Sequence, residues 1–173
     1  MQTMTRTLDL RKVFGMIVTY TSDQKLNSPD KPFDVITELI PGGASAIHIH
    51  PHQDETYEVK EGEIELFMNG NWKKLKAGES VTIPKGTVHG FRNTGDKTVV
   101  AFNRHNPGLR FGEMLETIQQ KIIEGKITSV KGFRNLAHMS SVMVKYSDVM
   151  QLVKPPESLI KMMAKLGKTF GYK

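Results

Sequence analysis

From about residue 16 to residue 105, apolar and polar positions alternate in short runs. "FDVITELI" sets Val35, Thr37 and Leu39 against Asp34, Ile36 and Glu38, the period of two that a half-buried strand requires. "ETYEVKEG", "EIELFMNG", "KKLKAGESVTIPKG", "HGFRNTGD" and "KTVVAFNRH" follow, with Gly, Asn, Asp and Pro between them at short intervals. That spacing predicts an antiparallel sandwich or barrel rather than strand–helix–strand units. After "NPG" at 106–108 the period lengthens. Phe111, Leu115, Ile118, Ile122 and Ile123 keep to one helical face, and Gly125 supplies a stop. A weaker helix is expected over about 133–145. A third should begin at Pro155-Pro156 and close at Gly167, with Leu159, Ile160, Met163 and Leu166 as its apolar positions. The chain therefore reads as a mainly β protein, a barrel over residues 1–110 followed by a helical extension over 111–173.

Composition changes this picture little. An apolar fraction of 38% and a charged fraction of 24% are ordinary for a globular chain of 173 residues. There is no cysteine, so disulfides, thiolate catalysis and zinc–thiolate sites are excluded. The first twenty residues carry Arg and Asp early and lack an apolar signal core. No run approaches a membrane span of roughly 18 residues. A cytoplasmic protein with no membrane role is the expectation. The net charge of +6 sits entirely in the tail. Residues 1–115 hold 14 Lys+Arg against 14 Asp+Glu, and residues 116–173 hold 10 against 4. These lysines punctuate apolar helical patterns, as on a solvated helix face, so nucleic acid is not expected as a partner.

Candidate chemistry is concentrated in "IHIHPHQDETYEV". Half of the six histidines fall within five positions there, beside an Asp-Glu pair. Side chains at i and i+2 of a strand share a face, so His48 and His50 project together. Pro51 then bends the chain, and the next strand can bring Glu55 back opposite them. Two imidazoles and a carboxylate of this kind make a facial metal triad. His89, after the Pro-x-Gly turn of "PKGTVHGF", is a fourth candidate. His52 shares the parity of His48 and His50, but Pro51 breaks the alternation. It is read as a loop residue at the barrel mouth, with an acid–base role as the alternative. Asp54 is expected to face solvent, and His105 to close the last strand. Tyr57 and Val59 share the parity of Glu55, and Phe91 that of His89. They either line an apolar pocket or simply fill the barrel.

The spacing of these residues resembles the cupin superfamily. Gly42-x5-His48-x-His50-x4-Glu55-x6-Gly62 is similar to the first cupin motif, and Gly78-x5-Pro84-x-Gly86-x2-His89-x3-Asn93 to the second. Fifteen residues separate them, and together they cover residues 42–93. The resemblance implies a double-stranded β-helix, or jelly-roll barrel, and makes His48, His50, Glu55 and His89 the ligands of one divalent transition metal. Fe, Mn, Ni, Cu and Zn all suit that set. It leaves Asn93 a structural residue near the site. Cupins with these ligands include dioxygenases, oxalate-cleaving enzymes and isomerases. The function implied is therefore a small-molecule oxidoreductase of dioxygenase type, with Glu55, Tyr57 and His52 as candidate catalytic residues. The alternative is a non-catalytic cupin that binds or senses a small molecule.

Two expectations concern assembly. Exposed strand edges and the stripe at Phe111, Leu115, Ile118 and Ile122 both need covering, which a homodimer would achieve. A tail folded back on its own barrel is the runner-up. Because all four ligands sit on the barrel, metal binding should be largely indifferent to the tail.

Overall fold

The computed structural model describes residues 6–21 and 28–171. Strands β1 (Thr7–Asp9), β2 (Met16–Tyr20), β3 (Phe33–Leu39), β4 (His48–Ile49), β5 (Asp54–Glu61), β6 (Glu63–Met68), β7 (Asn71–Lys76), β8 (Ser80–Ile83), β9 (His89–Arg92) and β10 (Val99–Asn106) precede the main helices. Helices α2 (Phe111–Ile123) and α3 (Phe133–Lys145), the short strand β11 (Gln151–Leu152) and helix α4 (Glu157–Thr169) follow. A single turn, α1 (Arg11–Phe14), links β1 to β2.

Two antiparallel sheets face one another as a jelly-roll barrel. One has the order β1-β2-β3-β10-β5-β8 and the other β11-β4-β9-β6-β7. Alternation is what closes it. In β3 every odd position from Phe33 to Leu39 is buried and every even one is half-exposed. Val99, Ala101, Asn103 and His105 are the buried positions of β10. The inner apolar side chains Val35, Leu39, Val59, Ile64 and Ile83 are each at most 2% exposed, a burial that contributes roughly 1.5–3 kcal/mol per large side chain. Strand β7, at one sheet edge, exposes Lys73, Lys74 and Lys76, which discourages pairing with another chain.

The predicted helices are present, with two differences. Helix α4 runs through Gly167 to Thr169. Gly167 is buried within α4 and does not terminate it. Gly125 does act as a stop, with φ of 67° directly after the last residues of α2. The apolar stripe of α2 is covered within the same chain. Phe111, Leu115 and Ile118 are buried in the common core with Leu8, Leu10, Val142 and Met143. The tail is also more than an appendage: β11 pairs with β4, Leu152 opposite His48, and so extends the sheet that carries the histidines. No helix among the described residues is long and apolar enough to cross a membrane.

Candidate metal centre

Three of the predicted ligands come from one sheet and the fourth from the other. His48 on β4 lies directly opposite His89 on β9, and His50 follows two positions on. Glu55 stands on β5, which pairs with β10 and β8 in the facing sheet. The bend at 51–53 carries the chain across the barrel, and the next strand brings Glu55 back opposite the histidines from the facing sheet. Gln53 fixes that crossing by donating from Nε2 to the carbonyls of Pro107 and Gly108 at 2.8 and 2.9 Å. Asp54 is exposed, and its Oδ1 accepts from the Lys85 amide at 2.9 Å. The second histidine segment is tied to the first through the Gly86 amide, which donates to the His50 carbonyl at 2.8 Å. Gly86 has φ of 77°, a turn that a side chain would strain.

All four residues are buried, and their ligand atoms lie within 4.8 Å of one another. Nε2 of His48 is 3.2 Å from Nε2 of His50. Glu55 Oε2 is 2.6 Å from His89 Nε2 and 3.7 Å from His50 Nε2. The other ring nitrogen of each histidine faces a backbone carbonyl: Ala46 for His48 at 2.7 Å, Val149 for His50 at 2.7 Å, and Thr87 for His89 at 2.8 Å. A carbonyl only accepts, so each Nδ1 must carry the proton and each neutral Nε2 is a lone pair. Three Nε2 atoms and a carboxylate oxygen thus converge on one point, a donor set that suits a cation. Glu55 Oε2 and His89 Nε2, buried and 2.6 Å apart, face each other, and each of the three histidines is held from behind by a backbone carbonyl. This is the outer support that metal-ligating histidines ordinarily have, and the residues fit a divalent transition metal.

Electrostatics agree. Burial, aided by the neighbouring His89, pushes His48 down to about 4, and burial holds His50 well below its ordinary value. Both rings are therefore neutral near pH 7. Burial alone would raise the Glu55 carboxyl, but His105, His89 and His50 together hold it well below the usual carboxylate range. His89 is raised because its contact with Glu55 outweighs the burial that opposes its charge. Tyr57 is pushed well above 10, by burial first and then by the Glu55 carboxylate, so its phenol stays protonated.

Two functional neighbours were not read from the sequence. Asn103 donates from Nδ2 to Glu55 Oε1 at 3.0 Å. His105 lies directly across from Glu55 in the β5–β10 ladder, with Nε2 3.2 Å from the same Oε1, and its ring stacks on Phe111 at 3.6 Å. Far from merely closing a strand, it faces the centre. The signal was present: Asn103 and His105 are polar residues at the inward positions of β10, after Val99 and Ala101. Asn103 takes Oε1 by its hydrogen bond, His105 lies beside the same oxygen, and Oε2 is left facing the histidines.

A cavity of about 340 Å³ opens from this group, and Tyr57 and Phe91 line it as the pocket reading required. Val59 does not line it and is fully buried core. His52 is exposed in the bend and is not among the lining residues. Asn93 is structural, donating to the Leu39 and Lys97 carbonyls at 2.8 Å each.

Comparison with known proteins places this barrel. The cupin domain family matches residues 35–103. An uncharacterised protein of Aquifex aeolicus is 45% identical over 53 residues, 31% of this chain and 44% of that one. Oxalate oxidase 1 of Hordeum vulgare is 34% identical over 85 residues, 43% of this chain and 42% of that enzyme. Each match spans less than half the length of the relative. The crystal structure of an RmlC-like cupin from Shewanella frigidimarina superimposes with a TM-score of 0.51 at 20% identity, covering 61% of this chain and 86% of that one. The match over residues 35–103 and the two ligand-bearing segments within it agree with the double-stranded β-helix around them: these strands are a cupin domain.

Proposed function

We propose that the protein is a divalent-metal-dependent oxidoreductase of dioxygenase type that acts on a small molecule in the barrel cavity. His48, His50, Glu55 and His89 hold the metal. The observation that carries this reading is the convergence of three carbonyl-fixed imidazoles and Glu55 Oε2 beside a cavity with mostly apolar walls. A metal at such a centre supplies a Lewis acid with positions open to substrate oxygens. The chain's own residues do the rest. Asn103 and His105 hold Glu55 through Oε1. Tyr57, neutral and beside Glu55, is the proton donor nearest the centre on the β5 face. The apolar walls exclude water. His52 has no part in this account, because it lies off the cavity.

We take the assembly to be a cytoplasmic homodimer, with residues 1–110 as the barrel and 111–173 as its extension. Exposed Ile123, Phe133 and Phe170 supply apolar surface for a second copy. The deciding experiment is metal analysis of protein purified without chelators, followed by oxygen uptake over catechols, flavonols, 1,3-diketones and thiols. About one metal per chain and uptake with one class are expected. A loaded protein that consumes no oxygen with any of them would favour the non-catalytic binding alternative.

A further inference from the structure

The walls of the cavity say what kind of molecule enters it. Five of the chain's ten methionines line it: Met16 from the barrel, and Met114, Met139, Met143 and Met150 from the tail. Leu, Val, Ile and Phe supply eleven of the other twenty-four lining residues, and Thr37, Ser45, Asn103, Ser129 and Asn135 are uncharged polar ones. The charged side chains among the lining, histidines aside, are Glu55 at the metal end and Lys154, which is exposed. Among the described residues, no arginine lines the cavity. Arg92, Arg104 and Arg110 are instead paired with Glu65, Asp34 and Asp148.

We infer that the cavity takes an apolar, uncharged molecule whose one polar end is an oxygen pair directed at the His48–His50–Glu55–His89 group, and that it rejects small dicarboxylates. This rests on the metal-centre reading above. A dicarboxylate brings four oxygens. Two can face the metal, and the others need donors. Burying an ionised carboxylate without partners is strongly unfavourable, and proteins that select carboxylates commonly supply an arginine fork. The inner end already holds one carboxylate, Glu55, whose Oε1 takes up Asn103. An apolar body, by contrast, loses nothing by meeting these walls. Methionine walls are unbranched and adaptable, so they tolerate differences in its shape. The barley relative's oxalate is therefore not the expected substrate.

The test is calorimetric titration of the Zn(II)-loaded full chain, and of the metal-free chain, with benzoylacetone, acetylacetone and oxalate. Metal content is measured again after each run, so that stripping by oxalate is not mistaken for binding. The two diketones share a chelating end and differ in a phenyl group. Benzoylacetone should bind at least about 10-fold tighter than acetylacetone, since the phenyl buries further apolar area. Oxalate should show no saturable binding at concentrations about 100-fold above the benzoylacetone Kd. In Met139→Glu and, independently, Met143→Ser, the benzoylacetone preference should fall about 10-fold while acetylacetone binding and zinc content hold. Oxalate binding as tightly as benzoylacetone overturns the inference, as does equal binding of the two diketones. A chain that takes no zinc but still prefers benzoylacetone over oxalate overturns the metal reading and leaves the apolar selectivity standing.

Discussion

Asn103→Leu isolates what holds Glu55 in place. The Asn103 amide donates to Glu55 Oε1 at 3.0 Å, while Oε2 is the oxygen turned to the three histidines. Leucine keeps the side-chain volume and removes only the donor. A hydrogen bond to a charged group contributes about 1.5–3 kcal/mol. At about 1.4 kcal/mol per decade, this corresponds to a loss of roughly 10- to 100-fold in metal affinity, the range found for residues that orient metal ligands. The offset from His105, 3.2 Å from the same oxygen, places the expectation toward the lower end. Affinity is read by competition with a chelator of known strength, and the metal-free variant is unfolded in urea alongside. Stability without metal should fall as well, by about 1–3 kcal/mol, because the buried Glu55 carboxylate loses a donor that leucine cannot replace. An affinity within about threefold of the parent would refute the argument that Oε1 is the anchored oxygen.

Other perturbations bear on the same account. His50→Ala and His89→Ala should each reduce metal content to near zero, whereas His52→Ala, altering an exposed bend residue, should leave it at the parent value by elemental analysis. Tyr57→Phe should spare metal content but lower turnover of any oxygen-consuming substrate by roughly 10²-fold, the low end for a lost proton donor. Light scattering should give twice the 19.5 kDa of one chain, and a mass of one chain across a wide concentration range removes the homodimer. Ile118→Asp should loosen the tail and lower metal affinity as well, read by chelator competition. Unchanged affinity in a variant whose helices have loosened would sever the link between them.

Much of this site was legible because a strand's alternation and a ligand's spacing are both side-chain signals. His48, His50, Glu55 and His89 could be read from their intervals, and Tyr57 and Phe91 from parity alone. Asn103 and His105 sit on the inward positions of a readable strand but outside either motif, so ligand spacing carries no sign of their contact with Glu55. Parity also set Val59 inward, where it fills the barrel core rather than lining the cavity. Val149 is a different case. It contributes a backbone carbonyl, and a carbonyl leaves no trace in residue identity. Nor did the apolar stripe of α2 announce whether a second chain or its own barrel would cover it.

That carbonyl joins the tail to the chemistry. His50 Nδ1 is held at 2.7 Å by Val149, between α3 and β11, and β11 pairs with the strand that begins at His48. Phe111, the first residue of α2, stacks on His105, which contacts Glu55. Four of the five lining methionines also come from beyond residue 110. The expectation that a barrel-borne ligand set would be indifferent to the tail therefore does not follow from this geometry. If the tail lifts, His50 loses the acceptor that fixes its tautomer, β4 loses a neighbour, and the cavity loses most of one wall. Linkage runs both ways: whatever metal gains from an oriented His50, the closed tail gains from bound metal. The barrel supplies the ligands, but the tail sets how well one of them is aimed and how dry the space beside them is.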